Sequence, residues 1–204
     1  MPIPVIADAD TLFGGTTRGF LIYLDYQKLI HLHWSPLILE EMSRALVTTG
    51  RKIDQAAAQL NETLMRQSLP TAEVSTPDVQ AQFQAVAFGR RSMKDTHVAA
   101  CAYAILANPY YPGTQVVSLV TKNVKDFGVQ KLATIGIAIQ RPDAFLLALF
   151  QQQPSAVGAA FSAFRQSLRS NPTAPALLQK LAADGQQRVA AAMLAAWQQG
   201  TLAL

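Results

Sequence analysis

Cysteine and long apolar runs are scarce in this chain of 204 residues. The one cysteine, Cys101, cannot form an intramolecular disulfide, and its alanine neighbours predict a buried, inert thiol on a packed helix face. The apolar run from Val98 to Ala107 is shorter than the roughly 18 residues that cross a bilayer. The sequence does not begin with a basic segment and an apolar stretch, so we expect no secretory signal and a soluble, cytoplasmic protein.

Charged residues are also sparse, at 15% of the chain, whereas half of the residues are hydrophobic. This balance excludes a disordered chain, and the length predicts one principal domain with an appendage. The net charge of +4 is uneven, because residues 141–204 contain five Lys or Arg against two Asp or Glu. A mild basic excess is compatible with a polyanionic partner such as RNA, but many proteins that bind no nucleic acid are equally basic.

The order of apolar runs and helical periodicities predicts an α/β fold in which helices flank a central parallel sheet. The dipeptide Ser35-Pro36 is typical of a helix start, with serine as the N-cap and proline at the first helical position. We predict strands at 3–7, 31–34, 116–120 and 135–139, and helices at 12–29, 36–47, 51–69, 78–88 and 95–106.

The composition changes beyond Arg141-Pro142, where Ala, Gln and Leu predominate. We predict helices there at 143–152, 155–169, 173–183 and 186–199. The chain is therefore divided into a first domain at 1–142 and an all-helical C-terminal extension at 143–204.

Carboxylates recur where the predicted strands end and the helices begin. Asp8 ends the first strand, and Glu40 or Glu41 lies on the helix after the second. Asp95 begins the helix before the third strand, and Asp126 follows that strand. Because the ends of parallel strands share one sheet edge, these acids can converge. Clustered carboxylates repel one another unless a hard divalent cation such as Mg²⁺ or Mn²⁺ offsets their charge, and such a cation can activate water for attack on a phosphodiester.

Four segments of the sequence resemble the PIN-domain nucleases, in the order of that family's motifs and over roughly residues 3 to 140. The most specific are Asp-x-His-x-x-x-x-Ala, which begins at Asp95, and Thr-x-Asn-x-x-Asp-Phe, which begins at Thr121. The other two are Val5-Ile6-Ala7-Asp8-Ala9-Asp10 and the stretch from Ser35 to Leu46. The resemblance implies a PIN-like fold for the first domain.

The resemblance also implies roles for particular residues. In relatives the acid of the second motif lies six residues after the serine and just before an apolar residue. Ser35 and Met42 therefore indicate Glu41, and Glu40 is expected to face solvent. The implied catalytic and metal-binding residues are Asp8, Glu41, Asp95 and Asp126, with Mg²⁺ or Mn²⁺ as the cofactor, and the implied supporting residues are Asp10, Thr121 and Asn123.

Two positions depart from the family pattern. Asp10 stands where the family often has Asn, and Asn123 stands where many members have Asp. The fourth carboxylate must then come from Asp126, whose reach to the metal is open. These departures also leave open a catalytically silent PIN fold that binds RNA or protein.

The implied activity is that of an endoribonuclease that hydrolyses RNA phosphodiester bonds with metal-activated water. One PIN domain with a short helical tail is similar to the VapC toxins of type II toxin–antitoxin pairs. Such toxins cut tRNA, rRNA or mRNA, usually form homodimers and are inhibited by a cognate antitoxin protein. Five basic residues near the acids are either RNA-binding or part of a solvated surface, namely Arg90, Arg91, Lys94, Lys122 and Lys125.

A phosphatase of the haloacid-dehalogenase type is the other enzyme class to consider. The Asp8-x-Asp10 pair after an apolar strand resembles its nucleophile loop, in which Asp8 would form an aspartyl-phosphate. That family also needs an acidic pair after a later strand. Beyond Asp126 the chain has only Asp143 and Asp184, which are far apart in sequence, so this function is disfavoured.

Overall fold

The computed structural model describes residues 2–89, 94–108 and 110–204. Its strands are β1 (Ile3–Ala7), β2 (Ile30–His33), β3 (Val117–Val120) and β4 (Ile137–Gln140). Its helices are α1 (Ala9–Leu12), α2 (Gly15–Tyr26), α3 (Pro36–Thr48), α4 (Gln55–Ser68), α5 (Thr76–Ala81), α6 (Phe83–Val86), α7 (Thr96–Ala107), α8 (Val129–Ala133), α9 (Pro142–Gln152), α10 (Pro154–Ser167), α11 (Ala174–Ala183) and α12 (Gln187–Gln198). None of the helices in these described ranges combines the length and the apolar character that crossing a membrane requires.

The chain forms two compact units. The first, which we call the sheet unit, consists of Ile3–Phe13 and His31–Gln140. The second, which we call the helical unit, contains Gly14–Ile30 and Arg141–Leu204. The second segment of the helical unit begins at Arg141, next to the boundary predicted at residue 142. The helical unit also includes α2, which the sequence analysis assigned to the first domain.

The four strands form one sheet in the order β2-β1-β3-β4. The pairs β1–β3 and β3–β4 are parallel, with Ala7 opposite Val120 and Val120 opposite Gln140. In the sheet unit α7 packs against β1 and β3, which explains why its residues are apolar on almost every side. Cys101 is fully buried on this helix, as predicted, and burial raises the pKa of its thiol. The predicted α/β class with a parallel sheet is confirmed.

Helix starts follow the capping residues of the sequence. The Ser35 hydroxyl accepts a hydrogen bond from the Ile38 amide at 3.4 Å, and Pro36 opens α3 as predicted. The predicted helix at 51–69 began too early. Gly50 has a φ of +70°, which ends α3, and Asp54 then caps α4 through the Ala57 amide at 2.8 Å.

Two other predictions of helices were incomplete, and one helix was missed. The helix predicted at 12–29 is two helices, α1 and α2, with the break after α1 at Phe13. The helix predicted at 78–88 is divided into α5, α6 and a 3₁₀ turn at Ala87–Gly89. The short helix α8 was not predicted. The four helices of the C-terminal region begin and end within two residues of their predicted bounds.

In the helical unit, α2 packs against α10 and α11, and α9 packs against α12. Aromatic contacts hold α2 to α10. The rings of Phe20 and Phe161 meet edge to face with centroids 5.3 Å apart, and Tyr23 lies 5.6 Å from Phe164. The apolar side of α2 is thus explained by helices that lie more than a hundred residues later in the chain.

The N-terminus of α2 is capped by a residue distant in sequence. Gly14 precedes the helix and provides no side-chain cap. Instead, one carboxylate oxygen of Asp184 accepts hydrogen bonds from the Thr16 and Thr17 amides at 2.9 and 3.0 Å. A β-carbon at Gly14 would lie 2.7 Å from that oxygen, so glycine leaves the room that the cap needs. A carboxylate here also complements the positive end of the helix dipole.

The N-terminus of α12 is capped in the same way. The Asp143 carboxylate accepts from the Arg188 amide at 3.1 Å and from the Val189 amide at 3.0 Å. Asp143 and Asp184 are the two acids of the chain beyond Asp126, and both have a structural function. They do not form the late acidic pair that a haloacid-dehalogenase phosphatase needs.

Replacement of Asp184 by alanine should lower the free energy of unfolding by about 1 kcal/mol, because two amides at the start of α2 lose their acceptor. Urea unfolding followed by circular dichroism measures this. Asp184→Asn keeps an acceptor oxygen and is the matched control, with a smaller loss expected. Equal stability of wild type and Asp184→Ala would show that the cap contributes nothing.

Candidate metal centre

The register of the sheet brings Asp8 and Thr121 together. Asp8 follows β1, and its amide donates to the Val120 carbonyl at 3.0 Å, which continues the pairing with β3 by one residue. Thr121 follows β3, and its hydroxyl donates to Asp8 Oδ2 at 2.7 Å. The other carboxylate oxygen of Asp8 accepts from the Ala9 amide at 2.6 Å and so caps α1. Asp8 is therefore both a helix cap and a fixed carboxylate at the sheet edge.

Asp10 is held at the same edge by the end of β3. Its two oxygens accept from the Lys122 amide at 2.9 and 3.1 Å, and the Thr11 hydroxyl is 3.1 Å away. The Thr121 hydroxyl also lies within 3.3 Å of Asp10. One hydroxyl group thus lies within hydrogen-bonding distance of two carboxylates, and Asp10 is held beside Asp8 at the sheet edge.

Burial makes this pair of carboxylates costly to ionise. Asp8 is 4% exposed, and its pKa is raised to about 7, first by burial and second by the nearby charge of Asp10, although the hydrogen bonds from Thr121 and Ala9 act in the opposite direction. Burial also raises the pKa of Asp10, partly offset by the Lys122 amide. A positive ion beside the two groups would remove much of this cost.

Glu41 reaches the same region from α3, and its partner is His97 on α7. Glu41 Oε2 lies 3.3 Å from His97 Nε2, although the pair is not aligned as a hydrogen bond. His97 Nδ1 is fixed by the Lys94 carbonyl at 2.7 Å. Burial alone would lower the pKa of His97, but Glu41 and the Lys94 carbonyl outweigh it and raise the pKa. Glu40, in contrast, is exposed and forms an ion pair with Arg44 at 2.8 Å.

Asp8, Asp10 and Glu41 line one cleft of about 370 Å³ in the sheet unit. Asp95 contributes from the start of α7 and does not use its side chain to cap that helix. An acid at the start of a helix usually caps that helix, and Asp95 does not. The lining residues are Asp8, Ala9, Asp10, Phe13, Glu41, Ala45, Thr49, Asp95, Lys122 and Asn123.

Some of the predicted residues lie elsewhere. Asp126 closes a 3₁₀ turn, Val124–Asp126, and does not line the cleft, where Asn123 is found instead. Lys125 lines a separate cavity of about 540 Å³. The predicted RNA contacts at positions 90 and 91 lie outside the described residues. Lys94 is exposed, and its carbonyl supports His97.

The donors of the cleft fit a hard divalent cation, since such ions prefer carboxylate oxygens. The side chains of the cleft are not arranged as a complete set of ligands around one ion. Within the described ranges, no three acidic, histidine or cysteine side chains come close enough together to form a ready-made ion site. Glu41 is directed at His97, and Asp10 is anchored to the backbone of Lys122. The cleft thus has oxygen donors for a cation, and a cation would lower the cost of ionising its buried carboxylates. The donors do not converge on one point among the described residues.

Sequence reasoning missed part of the cleft. Ala45 and Thr49 follow Glu41 at intervals of four residues on α3, so the helical period gave a signal for both. No sequence signal indicated Phe13, because its position depends on the break between α1 and α2. The His97–Glu41 pair was also missed, since it joins two helices that are far apart in sequence.

Comparison with protein-family models, curated proteins and solved structures found no match for the chain. A functional assignment therefore depends on the sequence motifs and on the geometry of the cleft. Asp8 and Thr121 are the residues where the two agree most closely, because the motifs name both and a hydrogen bond joins them.

Replacement of Asp8 by asparagine should stabilise the metal-free protein, and more so at pH 8 than at pH 5. The pKa of Asp8 is about 7 when folded and 3.8 in its ordinary range, so the unfolded chain loses this proton first and stability falls as the pH rises between these values. We expect a difference above about 1 kcal/mol at pH 8, measured by urea unfolding in EDTA.

Asp54→Asn is the matched control, because Asp54 is an exposed cap of α4. The change in unfolding free energy between the two pH values is compared for the two replacements. An Asp8→Asn protein that is less stable than wild type at pH 8 would contradict the account of a costly buried carboxylate.

Proposed function

We propose that this chain is a metal-dependent endoribonuclease of the PIN-domain type. The observation that carries the proposal is the junction of Asp8 and Thr121 across β1 and β3, with Glu41 and Asp95 lining the same cleft. Three of the four carboxylates implied by the sequence resemblance thus line one cleft, which supports the proposal. The parallel sheet with flanking helices is compatible with a PIN-like fold.

In this proposal Asp8, Glu41 and Asp95 hold Mg²⁺ or Mn²⁺, and Thr121 orients Asp8 through its hydroxyl. The ion supplies the activation of water and the stabilisation of phosphoryl oxygens when it is bound. The side chains around the ion hold its ligands in place and set the charge of the cleft. Asp10 fixes the end of β3 beside the ligands, and the positive charge of Lys122 favours the ionised form of Asp10.

The finer parts of the proposal rest on the sequence resemblance. They are that the chain acts as the VapC-like toxin of a type II toxin–antitoxin pair, in the cytoplasm, on tRNA, rRNA or mRNA. A cognate antitoxin and a second copy of the chain are the proposed protein partners. Asp126 remains a predicted ligand, although it does not line the cleft.

The purified protein should cleave single-stranded RNA in Mn²⁺ or Mg²⁺ and not in EDTA. Asp8→Asn and Asp95→Asn should each lower the rate at least about 100-fold, because an ion ligand is lost. Glu41→Gln should also lower it strongly. Gel analysis of a labelled RNA measures the rates.

Glu40→Gln is the matched control, since Glu40 neighbours Glu41 but faces solvent in an ion pair with Arg44. Its rate should equal that of wild type. Cleavage that persists in EDTA or in Asp8→Asn would contradict the proposal. RNA binding without cleavage by the wild type would favour the silent PIN module instead.

His97→Leu should weaken Mn²⁺ binding about tenfold, because Glu41 loses the partner that orients it. His97→Gln retains a donor and should lose less. Isothermal titration with Mn²⁺ measures the affinity. Cys101→Ala, one turn further along α7, is the control for altered packing of that helix. Equal affinities of wild type and His97→Leu would show that His97 only fills space.

A further inference from the structure

One wall of the cleft extends away from the carboxylates along α3. Glu41, Ala45 and Thr49 all line the cleft at intervals of four residues. At a rise of 1.5 Å per residue, Thr49 lies about 12 Å along the helix axis from Glu41. Phe13 also lines the cleft, on the chain that follows α1. The cleft therefore has an uncharged, partly aromatic region beside its acidic one.

Arg51 covers the ring of Phe13. Gly50, with a φ of +70°, ends α3, and the Lys52 amide returns to the Leu46 carbonyl at 3.0 Å. This turn places the Arg51 guanidinium carbon 4.3 Å from the centroid of the Phe13 ring. The spacing is that of a cation–π stack. Phe13 is fixed in turn, because its amide donates to the Ala9 carbonyl at 2.9 Å.

The ionic contacts of Arg51 differ from those of other arginines in the sheet unit. Arg44 is paired with Glu40, and Arg66 is paired with Glu62 and Glu73. Among the described carboxylates, none forms an ion pair with Arg51. Arg51 is exposed and its guanidinium carbon lies over the Phe13 ring, so the side of the guanidinium that is turned away from the ring is open to a ligand.

We propose that the Phe13–Arg51 stack is a subsite for an unpaired nucleobase of single-stranded RNA, next to the phosphodiester held at the carboxylates. The inference rests on the proposed ribonuclease function and names the part of the substrate that this subsite takes. The base stacks on the outer face of the guanidinium, and Phe13 holds the guanidinium flat from below. An unpaired base offers such a face, whereas a base within a duplex does not.

The charge of the cleft supports this assignment. Asp8, Asp10, Glu41 and Asp95 all line the acidic region together with Lys122, so without a bound cation this region contributes little to the binding of a polyanion, and the attraction has to come from groups beside it. A stacked guanidinium provides attraction for the neighbouring nucleotide without neutralising those acids. Arginine combines a planar face with a permanent charge, and lysine has only the charge.

The test is the binding of a fluorescein-labelled single-stranded RNA and of its duplex, followed by fluorescence anisotropy in EDTA with the full chain. Arg51→Ala should raise the Kd for the single strand about tenfold and leave the weaker duplex binding nearly unchanged. Arg51→Lys should lose a similar factor because stacking is lost, while its salt dependence stays that of wild type. For Arg51→Ala the slope of the logarithm of the association constant against log salt should become less negative by about 0.7.

Phe13→Leu should also raise the Kd for the single strand, because the guanidinium loses its support. Arg44→Ala is the matched control, as an exposed arginine of the same helix region that is paired with Glu40, and should bind like wild type. Melting temperatures check that each variant is folded. If Phe13→Leu is unfolded, the exposed Arg51 variants still decide the question.

Four results would overturn the subsite. Arg51→Lys that binds like wild type would show an ionic contact only. Arg51→Ala that binds like Arg44→Ala would show no contact at all. A wild type that cleaves RNA with Mn²⁺ while Arg51 variants bind normally would reject the subsite and leave the ribonuclease proposal standing, whereas a wild type that neither binds nor cleaves RNA would reject both.

Discussion

The hydroxyl of Thr121 joins the ends of the two central strands, and the candidate site is built around it. It donates to Asp8, lies close to Asp10 and accepts from the Asn123 amide at 3.0 Å. The parallel pairing of β1 with β3 puts these groups side by side, since Ala7 is opposite Val120. A shift of the register by one residue would direct alternate side chains to the other face and separate the carboxylates from the hydroxyl.

The same junction explains why the site opposes stability. Burial raises the pKa of both Asp8 and Asp10, and the charge of Asp10 adds to the effect on Asp8, so ionisation of this pair costs free energy in the folded chain. Perturbed acids in a cleft are typical of functional sites, although structural networks also produce them. Asp143 and Asp184, by comparison, satisfy helix amides and have a structural explanation.

Local patterns in the sequence predicted the strands, the caps at Ser35 and the order of the acids. The resemblance to the PIN-domain nucleases, and not a local pattern, led to the preference for Glu41 over Glu40, and Glu41 lines the cleft whereas Glu40 is exposed. Features that depend on distant contacts could not be predicted in this way. The assignment of α2 to the helical unit depends on aromatic contacts with α10 and on a cap from Asp184, and neither has a local signal.

Binding of Mn²⁺ by the wild-type chain and by Asp8→Asn, followed by electron paramagnetic resonance, tests the central claim most directly. The account predicts saturable binding to the wild type that Mg²⁺ displaces and that Asp8→Asn weakens at least about tenfold, since Asp8 is the most buried acid of the cleft. Absence of saturable binding, or equal binding by the two proteins, would contradict it.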